Sequence, residues 1–185
     1  MATPSSSVGS CVAVGEESTW GTAVARTSVM QLVGSPTFTN NLTRTVVPTM
    51  LNAGTGSYNA IDTYDALNEV GATFQVVLTY ESMGLLFKHA MRKNPTTSGG
   101  SPPYTHTYLL QRAAPAGGLT LEFGIGISST TILLAGCRVT KLTIECQTGG
   151  LVLATVEVIA KSQATSTRTS LTLSTVRDRK STRLN

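Results

Sequence analysis

The chain reads as mainly β, an antiparallel β-sandwich or partly closed barrel with one flanking α-helix, and three observations predict it. Residues 136–162 (GCRVTKLTIECQTGGLVLATVEVIAKS) make two alternating runs joined by a Gly-Gly turn, the pattern of a β-hairpin with one dry side. Residues 119–127 (LTLEFGIGI) and 72–80 (ATFQVVLTY) alternate in the same way. Charged residues are only 13% of the chain while Thr, Ser, Gly and Val abound. That composition favours strands and turns and leaves few charges to hold copies apart, which suits self-association.

Taken in order, residues 1–10 (MATPSSSVGS) have no positive charge and no apolar core of useful length, so they read as a flexible N-terminal arm, neither secretory signal nor membrane segment. No run approaches the ~20 apolar residues of a membrane helix. Short strands are expected at Val29–Val33 and Arg44–Val47. Residues 48–71 (PTMLNAGTGSYNAIDTYDALNEVG) read as a long loop, polar but threaded with apolar and aromatic side chains. A loop of more than ~15 residues in a compact domain usually has a task. This one is expected to order against a neighbouring subunit, with Tyr58, Ile61, Tyr64 and Leu67 as subunit-interface residues. Folding back over its own sheet is the competing reading.

In the strand at 72–80, Phe74, Val76, Leu78 and Tyr80 face inward. A helix follows: Ser82 caps it, Met83, Leu86, Phe87, Ala90 and Met91 recur at helical spacing, and Arg92 and Lys93 suit the negative end of its dipole. Its stripe fits a lid on the sheet; its polar face carries too few basic residues for a membrane-surface helix. Residues 94–103 (NPTTSGGSPP) are turn chemistry throughout, and Tyr104–Leu110 is a further strand. Along 119–127, Leu119, Leu121, Phe123, Ile125 and Ile127 take one face and Thr120, Glu122, Gly124 and Gly126 the other. In the hairpin, Leu142, Ile144 and Cys146 share a face, matched by Val152, Ala154, Val156, Val158 and Ala160. Two strands cannot bury such a row alone, so the rest of the chain or other copies must cover it. With a weak strand at Ser170–Thr175, the total is about seven or eight, the population of a sandwich or barrel.

Residues 178–185 (DRKSTRLN) are what a common sequencing adapter encodes in one frame, so 177–185 is read as a non-native tail and residues 11–176 as one β domain truncated at its C-terminus. Without Arg179, Lys180 and Arg183, Lys plus Arg falls from 14 to 11; without Asp178, Asp plus Glu falls from 10 to 9, and the net charge drops from +4 to +2. The basic balance is then no argument for a nucleic-acid partner, which needs Lys and Arg clustered on one face.

Chemistry is sparse. Cys11, Cys137 and Cys146 are an odd set without a signal peptide, which points to free thiols in a reducing compartment. Cys146 sits on the apolar face of its strand and reads as a buried small hydrophobe. A Cys137–Cys146 disulfide is disfavoured by opposite strand parity. His89 on the helix and His106 on a strand lack an adjacent acid and read as structural. Glu16 and Glu17 flank a turn, Asp62 and Asp65 occupy the long loop and Glu81 precedes the helix; all read as solvated acids. Residues 15–22 (GEESTWGT) lack the lysine and glycine spacing of a phosphate loop. Trp20, the lone tryptophan, suits an interface or sugar platform or a half-buried packing role. No catalytic, metal or cofactor-binding residues are expected, and no cofactor.

Four segments in order resemble the bacteriophage major tail tube protein family: GEESTWGTAVA at 15–25, YESMGLLFKHAM at 80–91, YTHTY at 104–108, and the hairpin running from Gly-Cys through a Gly-Gly turn to Ala-Lys. The resemblance spans residues 12–162. It implies a structural subunit, not an enzyme, that self-assembles head to tail into hexameric rings stacked as a DNA conduit. It further implies other tail proteins as partners, DNA only as passing cargo, no membrane partner, and location in the virion tail after assembly in the host cytoplasm. Loop 48–71 and the N-terminal arm are the expected stacking contacts. The competing function is a carbohydrate-binding or adhesive β-sandwich using Trp20 and loop tyrosines; an enzyme whose acids meet only in three dimensions is a weaker rival.

Overall fold

The computed structural model describes residues 10–47, 62–79, 83–100, 104–112, 117–126, 130–146 and 150–169. Along them run β1 (Cys11–Glu16), β2 (Ser28–Gln31), β3 (Thr37–Val47), β4 (Asp62–Val77), α1 (Met83–Met91), β5 (Thr96–Ser98), β6 (Thr105–Thr107), β7 (Leu119–Gly124), β8 (Thr130–Cys146), β9 (Val152–Ala160) and β10 (Ser162–Thr167). The strand order is β2-β1-β7-β8-β9-β4-β3, with β10 beside β8 and β5-β6 a separate ribbon. Every pairing is antiparallel.

The sheet folds over on itself along β8. The first half of that strand pairs with β7 and β10, and its second half, from Arg138 to Cys146, pairs with β9. Two layers result, one of β2, β1, β7, β8 and β10, the other of β8, β9, β4 and β3. Between them lies one apolar core, joining Val12, Val14, Leu121 and Phe123 of the first layer to Phe74, Val76, Ala154, Val156 and Val158 of the second. A bridge from Leu32 to Val76 ties the end of β2 to β4, and Val33 N–H donates to the Gln75 carbonyl at 2.8 Å. The architecture is an antiparallel sandwich that does not close into a barrel.

The alternating strands fall where expected. Phe74 and Val76 are buried, as are Ala154, Val156 and Val158. Helix α1 packs Leu86 and His89 inward, with Leu85 and Ala90 against the core, as a lid should. It ends on Arg92 in the left-handed region (φ 61), with Lys93 N–H donating to the Lys88 carbonyl at 3.2 Å, a closing turn that satisfies an orphan carbonyl.

Several expectations are corrected. The second half of the loop expected at 48–71 is strand: β4 starts at Asp62 and pairs with β3 from Val47↔Asp62 onward. The strand expected at Arg44–Val47 is the end of β3, which begins at Thr37. Residues 96–98, expected as turn, pair with 105–107, and that pairing uses only the middle of the strand expected at Tyr104–Leu110. Strands β1 and β10 add to the expected set. Cys146 is exposed and Cys137 is the buried thiol, all three cysteines being free. The apolar face of the hairpin is covered unevenly: Leu142 packs against the core and Ala154 lies in it, while Ile144, opposite Ala154, is 44% exposed. The weak strand at 170–175 and the cap Ser82 lie outside the described residues.

Candidate functional site

Three features stand out, beginning at the bend of β8. Gly136 has φ 68, and the β7–β8 register shifts beside it, from Leu119↔Cys137 to Leu121↔Leu134. Such a kink frees backbone groups from the ladder, and the segment after β1 satisfies them. Glu17 Oε1 accepts from Gly136 N–H at 2.8 Å and from the Thr120 hydroxyl at 2.8 Å, while Oε2 accepts from Gly21 N–H at 2.8 Å. The Trp20 indole N–H donates to the Gly136 carbonyl at 2.9 Å. Glu17 is 2% exposed, and its own N–H reaches the Gly118 carbonyl at 2.9 Å. A buried carboxylate survives when donors replace its water; each such charged bond contributes about 1.5–3 kcal/mol.

The same junction gathers cations around Trp20. Lys161 Nζ lies 5.1 Å and Arg138 Cζ 5.7 Å from its ring centroid, within cation–π range. Burial, with the Glu17 charge as a second cause, pushes the Cys137 thiol well up, so it stays protonated and inert. Solvated acids were expected at Glu16 and Glu17, yet Glu17 is buried.

A second buried carboxylate, Glu122, lies on the face of β7 opposite its apolar row; all six residues of that strand are buried. It pairs with Arg26 and accepts from Thr169 N–H and the Thr169 hydroxyl, each at 2.7 Å. These bonds fasten residues 26 and 169 across the outside of the first layer. The third feature is on α1, where His89 Nε2 lies 3.4 Å from Glu16 Oε1, which also pairs with Lys88. An acid therefore does adjoin this histidine, contrary to the sequence reading. Burial, the larger effect, holds its pKa below 6.5, with Glu16 opposing. An open cleft of about 880 Å³ beside it is lined by Phe87, Tyr104, His106 and Tyr108 among others. His106 is exposed on β6 and bonded to the Thr97 hydroxyl at 2.9 Å.

The expected interface residues are only partly placed. Tyr64 and Leu67 lie on β4 opposite Thr45 and Thr43; Tyr58 and Ile61 lie outside the described residues. That stretch of β4 runs free of the sandwich, because β9 pairs with β4 only over Val70–Val77. Residues 41–47 and 62–69 are thus a two-stranded arm, and Leu42 on it is 45% exposed. Trp20 is not among the residues that line the cleft; of the loop tyrosines, Tyr64 lies on β4 and Tyr58 lies outside the described residues. Among the described residues no group of three or more His, Cys, Asp or Glu could hold a metal ion, and no helix is long and apolar enough to cross a membrane.

Residues 7–182 match the family model described as phage tail tube protein. Among solved structures, a chain in the cryo-EM structure of the anti-feeding prophage (AFP) baseplate, 6-fold symmetrised, is similar with a TM-score of 0.44 and 12% identity, over 90% of this chain and 98% of that chain. No curated protein matches the chain.

Proposed function

The chain belongs to the phage tail tube protein family and is a structural subunit of the virion tail; from that premise we propose that its copies close head to tail into rings, hexameric by family resemblance, which stack into a conduit for DNA. No catalysis is assigned to it, and DNA is passing cargo.

The observation that carries this reading is the free arm of β3 and β4. Beyond Val70 it has no third strand among the described residues. At ~3.3 Å per residue the stretch from Val70 to Asp62 extends roughly 26 Å. A two-stranded ribbon is marginal in water, and open strand edges invite pairing with another chain. A second copy satisfies both needs. Tyr64 and Leu67 on the arm, with Tyr58 and Ile61 beyond it, are proposed as the contact, joined by residues 1–10. Heterologous contact of one arm with a different surface of the next copy closes a ring or continues a stack.

The test is electron microscopy of the full chain at high concentration, beside a variant in which residues 42–68 are replaced by Asn-Gly, so that the turn follows the Asn41↔Glu69 pair. Rings or tubes are expected from the parent and a folded, unstacked subunit from the variant. A monodisperse parent monomer, or normal tubes from the armless variant, overturns the proposal.

A further inference from the structure

Sequence motifs far apart along the chain meet at the bend of β8, and their chemistry says more than that the domain is stable there. The second layer holds both the hairpin tip, with Ile144 44% and Leu151 51% exposed, and the free arm. It joins the first layer through β8, which changes partners at Gly136, and at the Leu32–Val76 bridge. Opposite Gly136 the other strand changes too: β9 ends at Ala160, β10 begins at Ser162, and Lys161 N–H donates to the Ala135 carbonyl at 2.9 Å. Both strands of the pair therefore bend at one place, and Glu17 and Trp20 grip it.

We infer that Glu17 is a positioning residue for assembly: its carboxylate, with the Trp20 indole, locks the bend at Gly136 and so fixes the direction in which the second layer presents the hairpin tip and the arm to the next copy. This rests on the ring-and-tube reading for its purpose, but not for its geometry. Three hydrogen bonds reach the carboxylate and all three are donated to it, by Gly136 N–H, Gly21 N–H and the Thr120 hydroxyl. Glutamine, nearly the same shape, must turn an N–H₂ toward at least one donor. The Gly136 carbonyl is held separately by Trp20 at 2.9 Å, so the peptide units on both sides of the bend are fixed. Side-chain space is filled as well: a Cβ on Gly136 would sit 2.7 Å from Lys161 Cβ. Leverage makes the lock matter. From Gly136 to Cys146 the strand runs roughly 33 Å, so a tilt of about 10° moves the tip by about 6 Å.

The test uses the exposed Cys146. In a Cys11→Ser background, nitroxides at Cys146 and at Thr167→Cys, at the far end of β10 from the bend, report the distance from the tip to the first layer by pulsed electron resonance, in dilute, unassembled protein. The parent should give one narrow distance. Glu17→Gln and Trp20→Phe should each broaden it or shift its mean by a few ångströms, the change a tilt of about 10° gives when both labels stand away from the bend, while thermal unfolding stays cooperative; Trp20→Phe serves alone if the first variant does not fold. The same samples, concentrated and imaged, should give parent tubes of one diameter and variant tubes that are absent or of mixed diameter. A narrow, unshifted distance in folded variants overturns the inference whatever assembles. Failure of the parent to assemble sinks the ring reading, while the distance still decides the lock.

Discussion

Phe123 is the plug between the two layers, and its truncation gives the sharpest measure of how they are held. It projects from β7 with no exposed surface and meets Phe38 of β3 at 5.0 Å and Phe74 of β4 at 5.1 Å, both edge to face. Phe123→Ala removes most of the ring from a site that closes poorly around a cavity, a loss of about 3–5 kcal/mol. Each edge-to-face pair accounts for about 0.5–1.5 kcal/mol beyond simple burial. Phe123→Leu restores most of the buried area but neither pair, so it should cost about 1–3 kcal/mol. Against a total of about 5–15 kcal/mol for a domain, the alanine variant loses a large share of its stability. Urea unfolding of dilute protein, followed by far-ultraviolet dichroism, reads both values as shifts in midpoint at constant slope. An alanine cost under about 1.5 kcal/mol, well short of the range for such truncations, would show that the layers are not packed through this ring. A leucine variant as stable as the parent would show instead that the aromatic contacts carry nothing of their own.

Two further predictions concern titration and reactivity. Burial holds His89 below 6.5, so the folded chain keeps it neutral while the unfolded chain protonates it sooner; its contribution to stability is full above about 6.5 and is lost as pH falls through and below that value. Melting temperatures from about pH 7.5 to about pH 5 should therefore fall more steeply for the parent than for His89→Gln, and parallel curves would refute the assignment. Among the thiols, exposed Cys146 should react first with a maleimide, half-buried Cys11 more slowly, and buried Cys137 only in denaturant. Cys146→Ser should delete the fast phase, and a fast phase that persists would place the reactive thiol elsewhere.

What was legible in the sequence was half-burial. Strands β4 and β9 have one face in the core and one toward water, so Phe74, Val76, Val156 and Val158 announce themselves through a period of two. Strand β1 lies between β2 and β7, and Val12, Ala13 and Val14 are buried in succession. No alternation survives there, and the strand was missed. Strand β10 fails for the opposite reason: SQATST has no apolar row, and pairing with β8 alone makes it a strand. The arm is similar, since its second strand, from Asp62 to Glu69, is polar enough to read as loop. Backbone pairing leaves no mark on composition.

The buried carboxylates were illegible for a deeper reason. Glu17 draws two of its three donors from 103 and 119 residues away, and nothing in GEESTWG distinguishes a solvated acid from one held by a strand not yet in view. One signal was present. Gly117 stands just before β7, where a Cβ would fall 1.6 Å from the Glu17 carbonyl oxygen, so only glycine admits this approach. The family resemblance rests on the Glu17–Trp20 segment in one match and, in another, on the hairpin from its Gly136–Cys137 step to its Ala160–Lys161 end. In three dimensions they form one junction: Glu17 and Trp20 bond Gly136, and Lys161 lies over Trp20 and against Ala135. Matches independent in sequence are thus parts of a single physical device, and a change in any one of them must be answered by the others.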